Sequence, residues 1–168
     1  MSIRPATAAD VPVIADLIRD LAAYERAADE VRITEADLAR HLFGENPVAF
    51  AHVAISSNEI LAGFSLAFLT FSTWLGRPGI YLEDLFVRPE CRGQGLGRGL
   101  MRALARTAVK RGYGRLDWAA LDWNTPAIDF YRELGAVPLE EWTTFRLTGP
   151  ALVALAEDPA PGKPPPPV

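Results

Sequence analysis

The chain has 168 residues, 49% apolar and 23% charged, with a net charge of −4 at neutral pH. That length suits one domain with a real core, no apolar run reaches the roughly 18 residues that a membrane span needs, and the acidic balance argues against a nucleic-acid partner held through its phosphates. One cysteine, Cys91, and no apolar leader at the N-terminus point to a reducing, cytoplasmic setting, and Cys91 with His41 and His52 makes no metal-site spacing, so no metal is expected.

Residues 3–5 read as a short first strand. Thr7 stands three residues before Asp10, a capping-box pattern, and Val11, Ile14, Leu17, Ile18 and Leu21 follow at helical spacing. The helix should run to about Tyr24. Thr34 with Asp37 opens a shorter helix that closes at Gly44. Residues 49–55 and 60–71 read as a hairpin around the turn Ser56-Ser57-Asn58. A Gly- and Pro-bearing loop over 72–79 leads into the strongest strand signal, residues 80–87, which stops before Pro89. Glycines then cluster before a long helix that ends on Lys110, Arg111 and Gly112. A strand over 116–121, a helix from Asn124 to about Gly135, a late strand over 143–147 and a last helical turn or two over 151–157 complete a domain spanning 1–157. The tail 158–168 is mostly Pro and is expected to be disordered or polyproline-like. This order predicts an α/β (α+β) chain with a mixed sheet.

Arg92-Gly93-Gln94-Gly95-Leu96-Gly97 lies between the strong strand and the long helix. The first amides of that helix lack intrahelical acceptors, and its dipole adds partial positive charge, so the turn can hold a phosphate. Arg92 and Arg98 can add charge-assisted hydrogen bonds. A plain tight turn is an equal reading of this segment alone. Neither the dinucleotide G-x-G-x-x-G fingerprint in an opening strand–helix unit nor a phosphate loop ending in Gly-Lys-Ser/Thr is present.

The turn resembles the pyrophosphate loop of the GNAT acetyltransferase superfamily, Arg/Gln-x-x-Gly-x-Gly/Ala. Residues 124–135 (NTPAIDFYRELG) are similar to that superfamily's second segment, with Asn, Ala, Phe-Tyr and Gly in order. A narrower likeness is to the diamine (spermidine/spermine) acetyltransferases and their thialysine-acetylating relatives. It is carried by the opening IRPATAAD, by LAAYE at 21–25, by Trp74-Leu75-Gly76, by Tyr81-Leu82-Glu83-Asp84 and by Trp123-Asn124, and it covers roughly residues 3–156. Ser72 and Thr73 replace an Asp and a Pro of the polyamine acetylators, the stretch Ala120 to Asp122 departs from theirs, and one extra residue separates Trp74 from Tyr81. Fewer carboxylates would weaken recognition of a long polycation.

The resemblance implies a mostly antiparallel central sheet flanked by helices, acetyl-CoA as cosubstrate, a small amine as acceptor and a homodimer. It also implies direct attack of the amine on the thioester. An ammonium with a pKa near ~10.4 must first lose a proton, and Glu83 is the candidate base, with Asp84 beside it. Adjacent strand residues face opposite ways, so both can face one site only across a bulge, which the resemblance implies at this strand; otherwise one is a solvated carboxylate. Main-chain amides of Leu85, Phe86 and Val87 would line the pantetheine arm and meet charge developing on the carbonyl oxygen. Arg92 to Arg98 would hold the pyrophosphate, with Leu96 and Gly97 opening the helix. Asn124, Thr125, Pro126 and Ala127 would meet the arm, Asn124 alternatively serving as a helix cap. Tyr131 is the candidate acid for the departing thiolate, or a buried aromatic beside Phe130. Tyr24, Glu25, Trp74, Asp117, Trp118 and Ala119 would shape the amine pocket; for Tyr24, Glu25 and Trp74 plain packing is nearly as good a reading. A GNAT acting on a protein N-terminus or lysine, and a non-catalytic acyl-CoA sensor, are the alternatives; Glu83 and Tyr131 argue against the sensor.

Overall fold

The computed structural model describes residues 1–157; the expectation for the Pro-rich tail falls outside the described residues. Alternation along the strands decides the architecture. The strands β1 (Ser2–Pro5), β2 (Phe50–Ile55), β3 (Leu61–Ser72), β4 (Arg77–Val87) and β5 (Leu116–Trp118) form one sheet in chain order, antiparallel except for the parallel β4–β5 pair. Val53, Phe64 and Phe86 stand in one cross-strand row, and Ile3, Ala54, Gly63 and Val87 in the next. Successive strand residues point to opposite faces. The first row therefore packs under α1 (Val11–Tyr24) and α2 (Glu35–Phe43), burying Ile14, Leu17, Leu38 and Leu42. The second packs under α3 (Leu96–Arg111) through Leu96 and Leu100. Gly63 is required in that row, because a Cβ there would come within 2.6 Å of the Phe86 carbonyl oxygen.

Local signals place the helices. Thr7 donates through both its amide and its hydroxyl to Asp10, at 2.7 and 2.9 Å. Asp10 also receives both terminal nitrogens of Arg4 at 2.7 and 2.8 Å, tying β1 to the start of α1. These donors, Arg4 first, hold its carboxyl well below the usual range. Thr34 and Asp37 make the second capping box, and α3 ends on left-handed Gly112.

The chain clusters into two compact units, Met1–Phe130 and one that begins at Tyr131. The first holds the sheet, α1–α3 and most of α4 (Thr125–Glu133). The second has the end of α4, left-handed Gly135 and α5 (Gly149–Glu157).

Three expectations need correction. The expected late strand over 143–147 is irregular chain: no sheet neighbour pairs with it among the described residues, and Phe145 is 90% exposed. Strand-like composition cannot make a strand without a ladder partner. The expected loop over 72–79 shrinks to a turn at residues 73–76, because β3 and β4 continue pairing out to Ser72 and Arg77. Pro78 is tolerated opposite Phe71 near the hairpin end. β5 stops at Trp118 rather than 121.

Candidate active site

The ladder between β3 and β4 is regular except at one point. Leu66 opposes Asp84 and Ala67 opposes Leu82, which leaves Glu83 as an extra residue in a β-bulge. The bulge shifts the alternation. Leu82 keeps the parity of Ala67, whereas Asp84 takes that of Leu66 and, two positions on, Phe86, on the face covered by α1. Glu83, opposite in parity to Leu82, turns the same way. The expected condition for two adjacent carboxylates to share one face is therefore met. Glu25, directly after α1, completes an acidic group on that face. Burial, then the charges of Glu83 and Glu25, push Asp84 up to about 6. Burial also raises Glu25. Glu83 is exposed, while Asp84 is mostly covered.

Beside this group β4 loses its second neighbour. Its pairing to β5 covers only Ile80, Tyr81 and Leu82, so from Glu83 onward that edge has no ladder partner among the described residues. Leu85 is half-buried and Phe86 and Val87 are buried in the sheet. Their side chains fill the core, and what the open edge can offer a ligand is backbone amide and carbonyl. Five residues past Val87, at Arg92, the glycine turn begins. Gly93 and Gly95 are both left-handed, with φ of 73° and 78°, and neither has an atom within 4 Å of where a Cβ would sit. The opening amides of α3 thus stand over open space, which fits a pyrophosphate next to an extended polar arm. Gln94 is exposed, Leu96 anchors the helix in the core, and Gly97 faces Phe130, which would lie 3.6 Å from an added Cβ.

Arg92 has a role that its sequence position does not announce. Its Nε donates to the Val87 carbonyl at 2.9 Å, and its guanidinium lies over the rings of Tyr24 at 4.9 Å and Phe86 at 5.7 Å. It joins the strand end, the turn and the end of α1. The Tyr24 hydroxyl donates in turn to Asn124 Oδ1 at 3.1 Å. Asn124, buried, also caps α4 by accepting from the Ala127 amide at 3.4 Å, with Thr125 and Pro126 forming the first turn. Trp123 sits against Tyr24 with ring centroids 6.1 Å apart, and the Arg26 guanidinium lies over the Trp123 ring, 5.3 Å from its centroid. Arg26 has no part in the sequence reading, Trp123 enters it only through the likeness at Trp123-Asn124, and Phe86 only through its main chain; the ring and cation contacts of this network arise only in the fold.

The remaining residues fall elsewhere. Tyr131 lies in α4, seven residues after the capping Asn124, at the start of the second unit. Asp117 pairs with Arg115 at 2.6 Å and stands opposite Tyr81; Trp118 stands opposite Leu82, and Ala119 follows it, exposed. Trp74 is 89% exposed at the tip of the β3–β4 hairpin. From Arg77 to Glu83 the strand alone extends about 20 Å, so one copy of the fold does not bring Trp74 to the acidic group. Arg98 is exposed on the first turn of α3. No described helix is long and apolar enough to cross a membrane.

Comparison with known proteins gives the same direction. The profile of the acetyltransferase (GNAT) family matches residues 14–136. Thialysine N-epsilon-acetyltransferases of Sus scrofa and Bos taurus are 40% and 42% identical, each alignment covering 92% of this chain and 96% of the relative. The L-ornithine N5-acetyltransferase of Arabidopsis thaliana is 34% identical over 91% of this chain and 86% of its own. Among solved structures, an integron cassette protein from the mobile metagenome of V. cholerae superposes with a TM-score of 0.76 at 28% identity, covering 93% of this chain and 97% of that one. A bulged strand with an open edge, a glycine turn feeding a long helix and these relatives agree: the chain belongs to the acetyltransferase (GNAT) family and is an acetyl-transferring enzyme.

Proposed function

We propose that the enzyme acetylates a primary amine of a small cationic substrate of the thialysine, diamine or polyamine class, by direct attack on acetyl-CoA. The observation that carries this reading is the bulge at Glu83, which turns two carboxylates toward the end of α1 beside Glu25. Three acids around one opening favour a cation. The names of the relatives, thialysine and L-ornithine acetyltransferases, describe amines on short amino-acid side chains. Such a substrate needs fewer carboxylates than a long polyamine, in line with Ser72 and Thr73 at positions where polyamine acetylators carry an Asp and a Pro.

Bound acetyl-CoA supplies an activated carbonyl and a thiolate leaving group. The chain does the rest. The open edge of β4 at Leu85 to Val87 orients the arm, the amides of residues 93–97 hold the pyrophosphate, and Asn124 lines the approach. Asp84, near 6, is mostly deprotonated at neutral pH and is matched to removing a proton from an ammonium, directly or through Glu83 and a water. The nitrogen then forms the C–N bond while the C–S bond breaks, the Tyr131 phenol gives its proton to the sulfur, and the acylated nitrogen releases its extra proton to water, from which Tyr131 is reprotonated. The test is CoA-thiol release from acetyl-CoA with thialysine, lysine, ornithine, putrescine and spermidine, in the parent and in Glu83→Gln and Tyr131→Phe. Turnover is expected with the short amino-acid amines and should fall at least about tenfold in each variant. Activity on peptides alone, or full turnover in Tyr131→Phe, would overturn the reading.

A further inference from the structure

On the other side of α3 from α4, the helix and strand β1 enclose a groove of about 600 Å³. Its lining runs from Met1–Pro5 and His52 to Gln94, Gly95 and one face of α3. That face repeats arginine every four residues: Arg98, Arg102 and Arg106. Positions four apart on a helix lie one above another, so the three form a ladder about 12 Å long that starts at the glycine turn. Among the described residues, no Asp or Glu lines the groove. In a chain of net charge −4, this is a concentration of one sign against the overall balance. Like charges at this spacing repel one another and weaken a helix, and no packing role offsets this for Arg102 and Arg106, whose side chains are exposed.

The other groups facing the groove bring no negative charge to Arg102 and Arg106. Arg4 is already paired with Asp10 at 2.7 Å. His52 is half-buried, its pKa is lowered by burial, and its Nδ1 has no hydrogen-bond partner among the described residues. Ile3, Leu96, Gly99 and Ala103 give the groove an apolar floor beside the charged wall. Its volume suits a small molecule with an apolar or aromatic body and more than one negative charge. Arginine's planar fork matches phosphate oxygens in particular.

We propose that this groove is a binding site for a phosphate-bearing small molecule of at least two negative charges, with Arg102 and Arg106 as its principal ligands. Its occupant is a nucleotide bound independently of acetyl-CoA, because the groove opens toward β1 while the β4 edge proposed for the pantetheine arm faces β5.

The test is calorimetric titration of the full chain with adenosine 3′,5′-bisphosphate at low salt. It compares the parent, Arg102→Gln, Arg106→Gln, the double variant and Arg111→Gln, an exposed arginine of α3 outside the groove. Saturable binding is expected, weakened about tenfold or more in the double variant and unchanged in Arg111→Gln. Binding alongside saturating CoA supports a separate site; if saturating CoA abolishes it, the ligand occupies the cosubstrate's own site and the proposal is overturned. The absence of saturable binding, or equal affinity in the double variant with an unchanged melting temperature, overturns the proposal. Titration with 3′-dephospho-CoA keeps the two readings apart. Undiminished binding to the double variant leaves the glycine turn as the pyrophosphate site, whereas failure to bind the parent removes that reading without touching the ladder.

Discussion

Asp84 is kept covered, next to two other carboxylates, and this has consequences for both rate and stability. Its folded pKa of about 6 lies above the ordinary value near ~3.9. The folded state therefore holds this proton to higher pH than the unfolded chain. Stability falls as pH rises from about 4 to about 6 and stays lower above, by up to about 3 kcal/mol at 1.36 kcal/mol per unit. Asp84→Asn should raise stability at pH 7 to 8 and change it little at pH 4, as read by urea unfolding across that range. The same variant should lose the acidic limb of kcat/KM near pH 6, if Asp84 is the group that must ionise. Asp10 shows the opposite sign. Its lowered pKa stabilises the fold above the ordinary carboxyl range, and that contribution is lost as pH falls through the folded value. Asp10→Asn should cost about 2 kcal/mol at neutral pH, since it leaves Arg4 and the two Thr7 donors with a weaker partner.

Between elements, Arg92 connects β4, the glycine turn and α1 by one hydrogen bond and two stacked rings. Arg92→Lys keeps the charge but loses the planar group that meets both rings and the Nε donor to Val87. It should lower stability by about 1–2 kcal/mol and raise the KM for acetyl-CoA more than it lowers kcat, because the turn loses its anchor. Thermal melts and steady-state kinetics check this together. How legible each element was follows from where its cause resides. The capping boxes at Thr7 and Thr34, the period of α1 and the Gly112 stop are local, and each could be read from a few neighbouring residues. The bulge at Glu83 came through a family likeness; nothing in the order Leu82-Glu83-Asp84 distinguishes a bulged strand from a regular one, because the register is a property of the pair with β3. The extension of β4 back to Arg77 was missed for the same reason, with Gly79 and Pro78 reading as loop while the partner strand kept them paired. The Arg92 contacts to Tyr24 and Phe86 join residues up to 68 positions apart in the chain, beyond any spacing rule.

At the scale of the molecule, the polypeptide divides at residue 130, and the irregular stretch 142–148 belongs to the second unit. Trp142 and Phe145 are exposed there, with no ladder around them among the described residues. Chymotrypsin at low ratio should cut first at these two sites, seen by mass spectrometry as a fragment ending near 142 or 145. First cleavage within the sheet would contradict this. The single extra residue in β4 separates the acidic position from the packing of the strand. An insertion of one residue between Leu82 and Asp84 leaves the alternation of Ile80 and Leu82 on one side, and of Phe86 on the other, facing their own cores. The acidic position was thus added to the chain without taking a place from the hydrophobic pattern. Under the proposed function, a substitution at Glu83 therefore changes the acid–base chemistry while both cores keep their packing, so loss of turnover and loss of fold separate at this position.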